Sequence, residues 1–319
     1  MINFSELISF IRKEINHSIK KLPIPDTPSY LYDPIKYALA AGGKRLRPIL
    51  CHLVGRAYRT DPDSIMNISL AIELLHNFTL IHDDIMDKDT FRHGKQTIHH
   101  KWDISTAILA GDGIYTLAQL VLNNIDYNYK DLIKYFNEVT LDICEGQALD
   151  KEFEDLDNIT TDLYLEMVKK KTGSLITASA VLPSVYVNEK SKKIELFRMF
   201  GECLGKGFQI HDDLLEIISD SATMGKSLES DLFEGKQTIM VIKAKQKYKN
   251  DWNNIISNSK TSDLRKNVHS FFKEKNIIYE TKKIAESYFT KSREILKKLN
   301  HINTEELFMF VDMVENRSF

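Results

Sequence analysis

The sequence predicts an all-α protein, and three observations carry that expectation. Only 13 Gly and 7 Pro occur in 319 residues, below average usages of about 7% and about 5%, so residues that turn a chain repeatedly are scarce. Apolar residues recur at three- and four-residue spacing through one segment after another, as amphipathic helices require. No parallel-sheet pattern occurs. At 43% hydrophobic residues the chain can bury a sizeable core. No linker or low-complexity stretch divides it, so residues 1–319 read as a single domain.

The elements follow in order. The opening "MINFSELISFIRKEI" is an amphipathic helix without the uninterrupted apolar core of a signal peptide. The turn-rich "KLPIPDTPSYLYDP" (Lys21 to Pro34) separates it from a second helix whose start carries "AGGKRLRP". From Asp63, read as an N-cap, a helix runs to Asp87 and gives way to the polar loop "KDTFRHGKQTIHHKWD". Further helices are expected at 104–123, 130–152, 162–182, 192–218, 236–248, 263–274, 277–299 and 304–313. Asn303 with Glu306 is a capping-box-like start for the last one.

Composition narrows the function. A balance of 43 Lys+Arg against 45 Asp+Glu leaves a formal charge of -2, which argues against a nucleic-acid surface built on net charge. Three distant cysteines, Cys51, Cys144 and Cys203, form neither a disulfide framework nor a zinc cluster and fit reduced positions in a cytoplasmic protein. No membrane span is expected.

The chemistry lies in a repeat. "LIHDDIMD" (Leu80 to Asp87) and "QIHDDLLE" (Gln209 to Glu216) share the letters IHDD. At about 100° per residue, Asp83 and Asp87 project from one helix face about 40° apart, and Asp212 and Glu216 repeat the arrangement. Such carboxylates repel unless a cation intervenes. All-oxygen donors without nearby thiolates favour Mg²⁺, which usually completes its shell with water and substrate phosphate. The plainer reading is a solvated acidic face, but a second ledge flanked by apolar residues argues against it. Donors for a phosphate cluster in "GGKRLRP" (Lys44, Arg45, Arg47), "DTFRHG" (Arg92, His93), "KKKTGS" (Lys170, Lys171) and "MGKSLESDLFEGK" (Lys226, Lys236). "MGKS" is not a Walker loop, because the required first glycine falls at Asp220.

In this order, from roughly Pro34 to Lys236, these segments resemble the trans-isoprenyl diphosphate synthases, the family of farnesyl and geranylgeranyl diphosphate synthases. The resemblance implies helices around a deep central cavity, usually in a homodimer. It also implies transfer of an allylic diphosphate's prenyl group to isopentenyl diphosphate, with a magnesium cluster held between the two ledges. Asp83 and Asp87 are then metal ligands with Asp84 in support, and Asp212 is a ligand with Asp213 and Glu216 beside it. Lys171, Thr172, Gln209, Lys226, Lys236 and Arg92 match positions at the allylic diphosphate, and Lys44, Arg47 and His76 match the isopentenyl diphosphate site. Two departures stand out. His93 replaces a second arginine expected on isopentenyl diphosphate, and Glu216 replaces aspartate, one methylene longer.

Phe78 lies five residues before Asp83, with Thr79 next to it. In the family, bulk there floors the cavity, and this pattern resembles the archaeal geranylgeranyl type, which makes a twenty-carbon product; farnesyl and longer products remain open. Rival readings are an HD-type metal phosphohydrolase using His82, His211 and the His99-His100 pair, a non-catalytic prenyltransferase subunit, and a terpene cyclase. The basic motifs and the two intact ledges weigh against all three.

Overall fold

The computed structural model describes residues 3–92, 94–156, 158–218, 236–258 and 261–317. Helix α1 (Phe4–Lys20) starts at a full capping box between Asn3 and Glu6. Helix α2 (Ser29–Leu39) begins inside the stretch expected to be turn, directly after Pro28. "AGGKRLRP" is therefore not the start of the second helix but the junction between α2 and α3 (Leu46–Ala57). Its backbone turns through positive φ at Gly42 (81°), Gly43 (140°) and Arg45 (53°).

Helix α4 (Pro62–Met86) carries the first ledge at its end. Its N-cap is Asp61 rather than Asp63: the Asp61 carboxylate accepts from Ser64 N at 2.8 Å, and Pro62 takes the first helical position, where its missing N–H costs nothing. The expected loop contains a small antiparallel hairpin, β1 (Phe91–Arg92) with β2 (Lys95–Gln96), in which Arg92 opposes Lys95. The short α5 (Ile98–Lys101) and α6 (Ile104–Leu122) follow, α6 capped by Asp103.

Helix α7 (Tyr129–Glu154) leads to α8 (Thr161–Val168), which passes through one π-helical turn, Lys169–Gly173, into α9 (Ser174–Tyr186). Helix α10 (Ser191–Ile218) carries the second ledge. After it come α11 (Ile239–Lys247), α12 (Lys249–Asn258), α13 (Thr261–Glu274), α14 (Ile277–Leu296) and α15 (Glu305–Glu315). Helix α12, "KNDWNNIISN", lies outside the expected helices, its Asn-rich sequence being a weak helix former although Trp252, Ile255 and Ile256 fall on one face. Packing overrides propensity here, since Trp252 stacks on Phe272 with ring centroids 5.5 Å apart. The cap of α15 also differs from the expected box. Thr304 is the N-cap without a side-chain bond, and Asn303 accepts from Glu305 N at 3.0 Å.

Helix α4 packs between α6 and α3, α9 lies against α3, α7 and α10, and α10 lies against α14. One hydrophobic cluster reaches from Leu7 to Val314. Two glycines let the π turn approach its neighbours: a Cβ on Gly146 of α7 would meet Lys171 N at 2.2 Å, and one on Gly205 of α10 would meet Gly173 Cα at 2.6 Å. Helices α4 and α6 are each long and apolar enough to cross a membrane by composition, and here they pack on each other.

Candidate functional site

The first acidic ledge sits in the last turn of α4, with Asp87 as its C-cap, and the second lies on α10. The end of α4 is an unfavourable place for bare carboxylates, because the helix dipole already puts partial negative charge there. At the first ledge, compensation comes from basic side chains. Arg92 of β1 donates through Nε to Asp84 and through Nη2 to Asp89 at 3.2 Å. Lys151 of α7 lies 3.3 Å from Asp87, and Lys236 lies 3.4 Å from its other oxygen. Burial pushes the Asp83 carboxyl above its ordinary range, Lys171 pulls it back, and Asp87 adds repulsion.

The second ledge is satisfied differently. Asp212 pairs with Arg317, which also donates to the Phe208 carbonyl at 3.1 Å and lies over the Phe208 ring at 3.8 Å. Asp213 is buried and accepts from the Tyr164 hydroxyl at 2.5 Å and from Gln209 Nε2 at 2.8 Å. Gln209 in turn accepts from the Thr172 hydroxyl at 2.8 Å. Burial drives the Asp213 carboxyl up to about 7. The Glu216 carbonyl accepts from Arg265 at 3.1 Å.

The π turn separates the three lysines of "KKKTG". Lys169 faces Glu202, Lys170 pairs with Glu145, and Lys171 pairs with Asp150. Lys171 is held above its usual value by Asp150 and Asp83, although burial opposes this.

A cavity of about 410 Å³ opens between the ledges, bordered by Lys44, Arg47, His76, Arg92, Asp212 and Arg317. Arg47 Nη1 lies 3.0 Å from His76 Nε2. Burial lowers the pKa of both Arg47 and Arg317, and the Nε of each is buried without a hydrogen-bond partner among the described residues. Two unsatisfied guanidinium N–H groups beside one cavity suit an anion with several oxygens.

The structure thus brings together most of the side chains singled out in the sequence. Lys226 and His93 lie outside the described residues. Arg92, matched to the allylic diphosphate, borders the cavity with Lys44, Arg47 and His76. Phe78 and Thr79 are not among the residues bordering this cavity. Phe78 packs on His82 and on Tyr115 of α6, with ring centroids at 4.6 and 5.4 Å, and Thr79 donates to the His76 carbonyl at 2.8 Å.

Sequence reasoning missed Asp150, Lys151, Tyr164 and Glu73. Asp150 and Lys151 lie in the mixed-charge run "LDKEFE", which reads as a solvated face, and no spacing signal marks them. The repeated histidines serve packing. His82 lies against Gly111 of α6, where an added Cβ would be 2.4 Å from its Nε2, and His211 meets Phe289 of α14 edge-on. Among the described residues no group of three or more His, Cys, Asp or Glu side chains converges into a metal cage. A phosphohydrolase centre needs one; a Mg²⁺ shared with substrate phosphates does not, because one or two carboxylates suffice.

The comparisons agree with this geometry. The profile of the polyprenyl synthetases matches residues 28–273. A geranylgeranyl pyrophosphate synthase of Geoglobus acetivorans is 42% identical over 243 residues, covering 75% of this chain and 76% of that protein. A short chain isoprenyl diphosphate synthase of Methanothermobacter thermautotrophicus is 41% identical over 223 residues, covering 68% of each chain. A crystal structure of a geranylgeranyl pyrophosphate synthase superposes with a TM-score of 0.91 at 31% identity, covering 100% of both chains. With the two ledges, the arginine-bordered cavity and a helical fold shared along its whole length, the chain belongs to the polyprenyl synthetase family.

Proposed function

We propose that this chain is a magnesium-dependent short-chain trans-prenyltransferase. It condenses isopentenyl diphosphate head to tail with dimethylallyl, geranyl and farnesyl diphosphates, makes geranylgeranyl diphosphate and releases pyrophosphate. The observation that carries this reading is one cavity bordered by Asp84 of the first ledge and Asp212 of the second together with Arg47 and Arg317, whose Nε groups are buried without a partner among the described residues. The first ledge offers Asp83 and Asp87 as metal ligands, with Asp84 held by Arg92 as their support. The second offers Asp212 and Glu216, while Asp213 orients Gln209.

Bound Mg²⁺ supplies charge neutralisation to the allylic diphosphate as it leaves. The remaining work falls to the chain. Lys171, Thr172, Gln209, Lys236, Lys226 and Arg92 hold the departing diphosphate, and Lys44, Arg47, His76 and His93 hold isopentenyl diphosphate beside it. The allylic C–O bond breaks with its electron pair going to pyrophosphate. The isopentenyl double bond forms the new carbon–carbon bond, and the proton then lost goes to pyrophosphate. Apolar walls keep water from the cation.

The active unit is a homodimer, supported by the apolar side chains that α6 leaves exposed: Ile104, Ile108, Leu109 and Leu120. The enzyme works in the cytoplasm as a single domain, without a membrane span or nucleic-acid partner. The test is incubation with Mg²⁺, labelled isopentenyl diphosphate and each allylic diphosphate in turn, followed by sizing of the dephosphorylated products. Twenty-carbon alcohol from all three is expected; absence of magnesium-dependent elongation would sink the reading. Phe78→Ala should lengthen the product, because it opens the layer that Phe78 forms with Tyr115. Unchanged product length on chromatography would remove Phe78 as the floor.

A further inference from the structure

Arg45 is the odd member of "GGKRLRP". Like Lys44 and Arg47 it borders the cavity, but its guanidinium is committed elsewhere. One Nη pairs with Glu73 of α4 in a buried ion pair, and Nε donates to Asn16 of α1 at 3.0 Å. Its backbone sits in the left-handed region at φ 53°, which costs a residue with a side chain roughly 1–2 kcal/mol. Locally its carbonyl accepts from Ile49 N at 3.0 Å at the start of α3, and its side chain makes no capping bond there. The conformation is held from outside, by α4 and α1.

Helix α4 faces this turn with two side chains at i and i+3. Glu73 takes Arg45, and His76 lies 3.0 Å from Arg47. Residues at that spacing share a helix face, so the two arginines of "RLR" are fixed on consecutive rungs of one rigid helix. Breaking the upper rung frees the turn that carries Lys44 and the first turn of α3 that carries Arg47.

We propose that the Arg45–Glu73 pair is a positioning device for isopentenyl diphosphate: it locks the 42–47 turn onto α4 so that Lys44 and Arg47 face the diphosphate, while neither member of the pair touches it. The inference rests on the prenyltransferase reading and deepens it. It also makes a prediction opposite in sign to that of simple electrostatics. Glu73 is a carboxylate beside an anion pocket, so if it acted through charge alone, Glu73→Gln would tighten binding of the diphosphate. If it acts by positioning, the same substitution weakens binding, because Arg45 is released from α4.

The experiment is isothermal titration of isopentenyl diphosphate, without allylic substrate, into the wild-type protein and Glu73→Gln, with steady-state kinetics on both. Glu73→Gln is expected to weaken binding and raise KM for isopentenyl diphosphate by about tenfold, leaving KM for farnesyl diphosphate within about twofold. Arg45→Lys, which keeps the charge but not the fork that reaches both Glu73 and Asn16, should fall between the two. Unchanged or tighter binding by folded Glu73→Gln overturns the proposal. So does an equal rise in both KM values, which would mark general loosening. If Glu73→Gln does not fold, Asn16→Ala removes only the Nε contact and should weaken binding about threefold; no change there overturns the proposal as well. Wild-type protein that binds no isopentenyl diphosphate would bring down the functional reading itself, whereas normal wild-type binding with unaltered variants removes this inference alone.

Discussion

Cations reach the carboxylates of the ledge on α4, whereas on α10 cations reach Asp212 and neutral donors satisfy its buried neighbour Asp213. Arg92, Lys151 and Lys236 reach the first from β1, α7 and the segment before α11. At the second, Arg317 pairs with Asp212, while Tyr164 and Gln209 satisfy Asp213 without charge. The two ledges are spelled alike, yet burial raises Asp213 to about 7 while Tyr164 and Gln209 pull it back, and at the first ledge Arg92 and two lysines from other elements reach Asp84 and Asp87. Burial also raises Asp83 and Asp212, each opposed by nearby cations: Lys171 and Arg92 at the first ledge, and Arg317, Arg47 and Lys44 at the second. The second offers Asp212 as its principal accessible carboxylate.

That difference can be broken at its strongest point. Asp83→Ala and Asp212→Ala should each lower kcat by about a thousandfold or more, since each removes charge stabilisation at the leaving diphosphate. Asp213→Asn should be far milder, because an amide can still accept from Tyr164. A comparable loss in Asp213→Asn would mean that Asp213 ligates metal directly and that the two ledges work alike.

A control outside both ledges sets the pH window in which they can be compared. His52 is buried in α3, and burial lowers its pKa to about 4, with Arg56 adding to the shift. Its folded pKa lies below the unfolded value near 6.5, so the unfolded chain binds more protons between these limits. The stability that neutral His52 contributes is complete above about pH 6.5 and is lost as pH falls toward 4, up to about 3 kcal/mol. His52→Gln should flatten the acid side of a plot of Tm against pH. If it does not, acid loss of activity has to be assigned to the ledges.

How much of this was legible in the sequence depends on whether a residue acts through local periodicity or through a distant partner. Asp83 and Asp87, or Asp212 and Glu216, declare themselves because a helix converts a spacing of four into a shared face. Most helices were legible for the same reason. Asp150, Lys151 and Tyr164 were not, because each matters only through a side chain on another helix: Lys171, Asp87 and Asp213. Helix α12 was masked by its Asn-rich propensity, although Trp252, Ile255 and Ile256 share a face and Trp252 anchors it on Phe272. Even the "GGKRLRP" motif, visible as a cluster of charge, gave no hint that Arg45, which borders the cavity with Lys44 and Arg47, commits its guanidinium to Glu73 and Asn16.

The neutral side of the comparison can be sharpened at Tyr164. Tyr164→Phe removes the hydroxyl that donates to buried Asp213 and leaves a carboxyl oxygen without that partner. The expected loss is about 1–3 kcal/mol of stability in urea titration, with KM for the allylic substrate raised because Gln209 loses its anchor. An unchanged urea midpoint would mean that the hydroxyl contributes nothing net to the second ledge.

The smallest effect tests the charged side. Lys151 is partly exposed and shares Asp87 with Lys236, so solvent screening limits its contribution, and Lys151→Ala should cost metal-free protein at most about 1 kcal/mol. The direction of its response to magnesium is more telling than the size. A metal that binds the folded state stabilises it in proportion to its affinity, and Asp87 freed of one lysine is a better ligand. Saturating Mg²⁺ with a non-reactive diphosphate should therefore raise the Tm of Lys151→Ala by more than that of wild type, narrowing the gap between them. A gap that stays constant would show that Lys151 and the metal do not compete for Asp87, and the cation-balanced first ledge would then owe its lysines to the substrate alone.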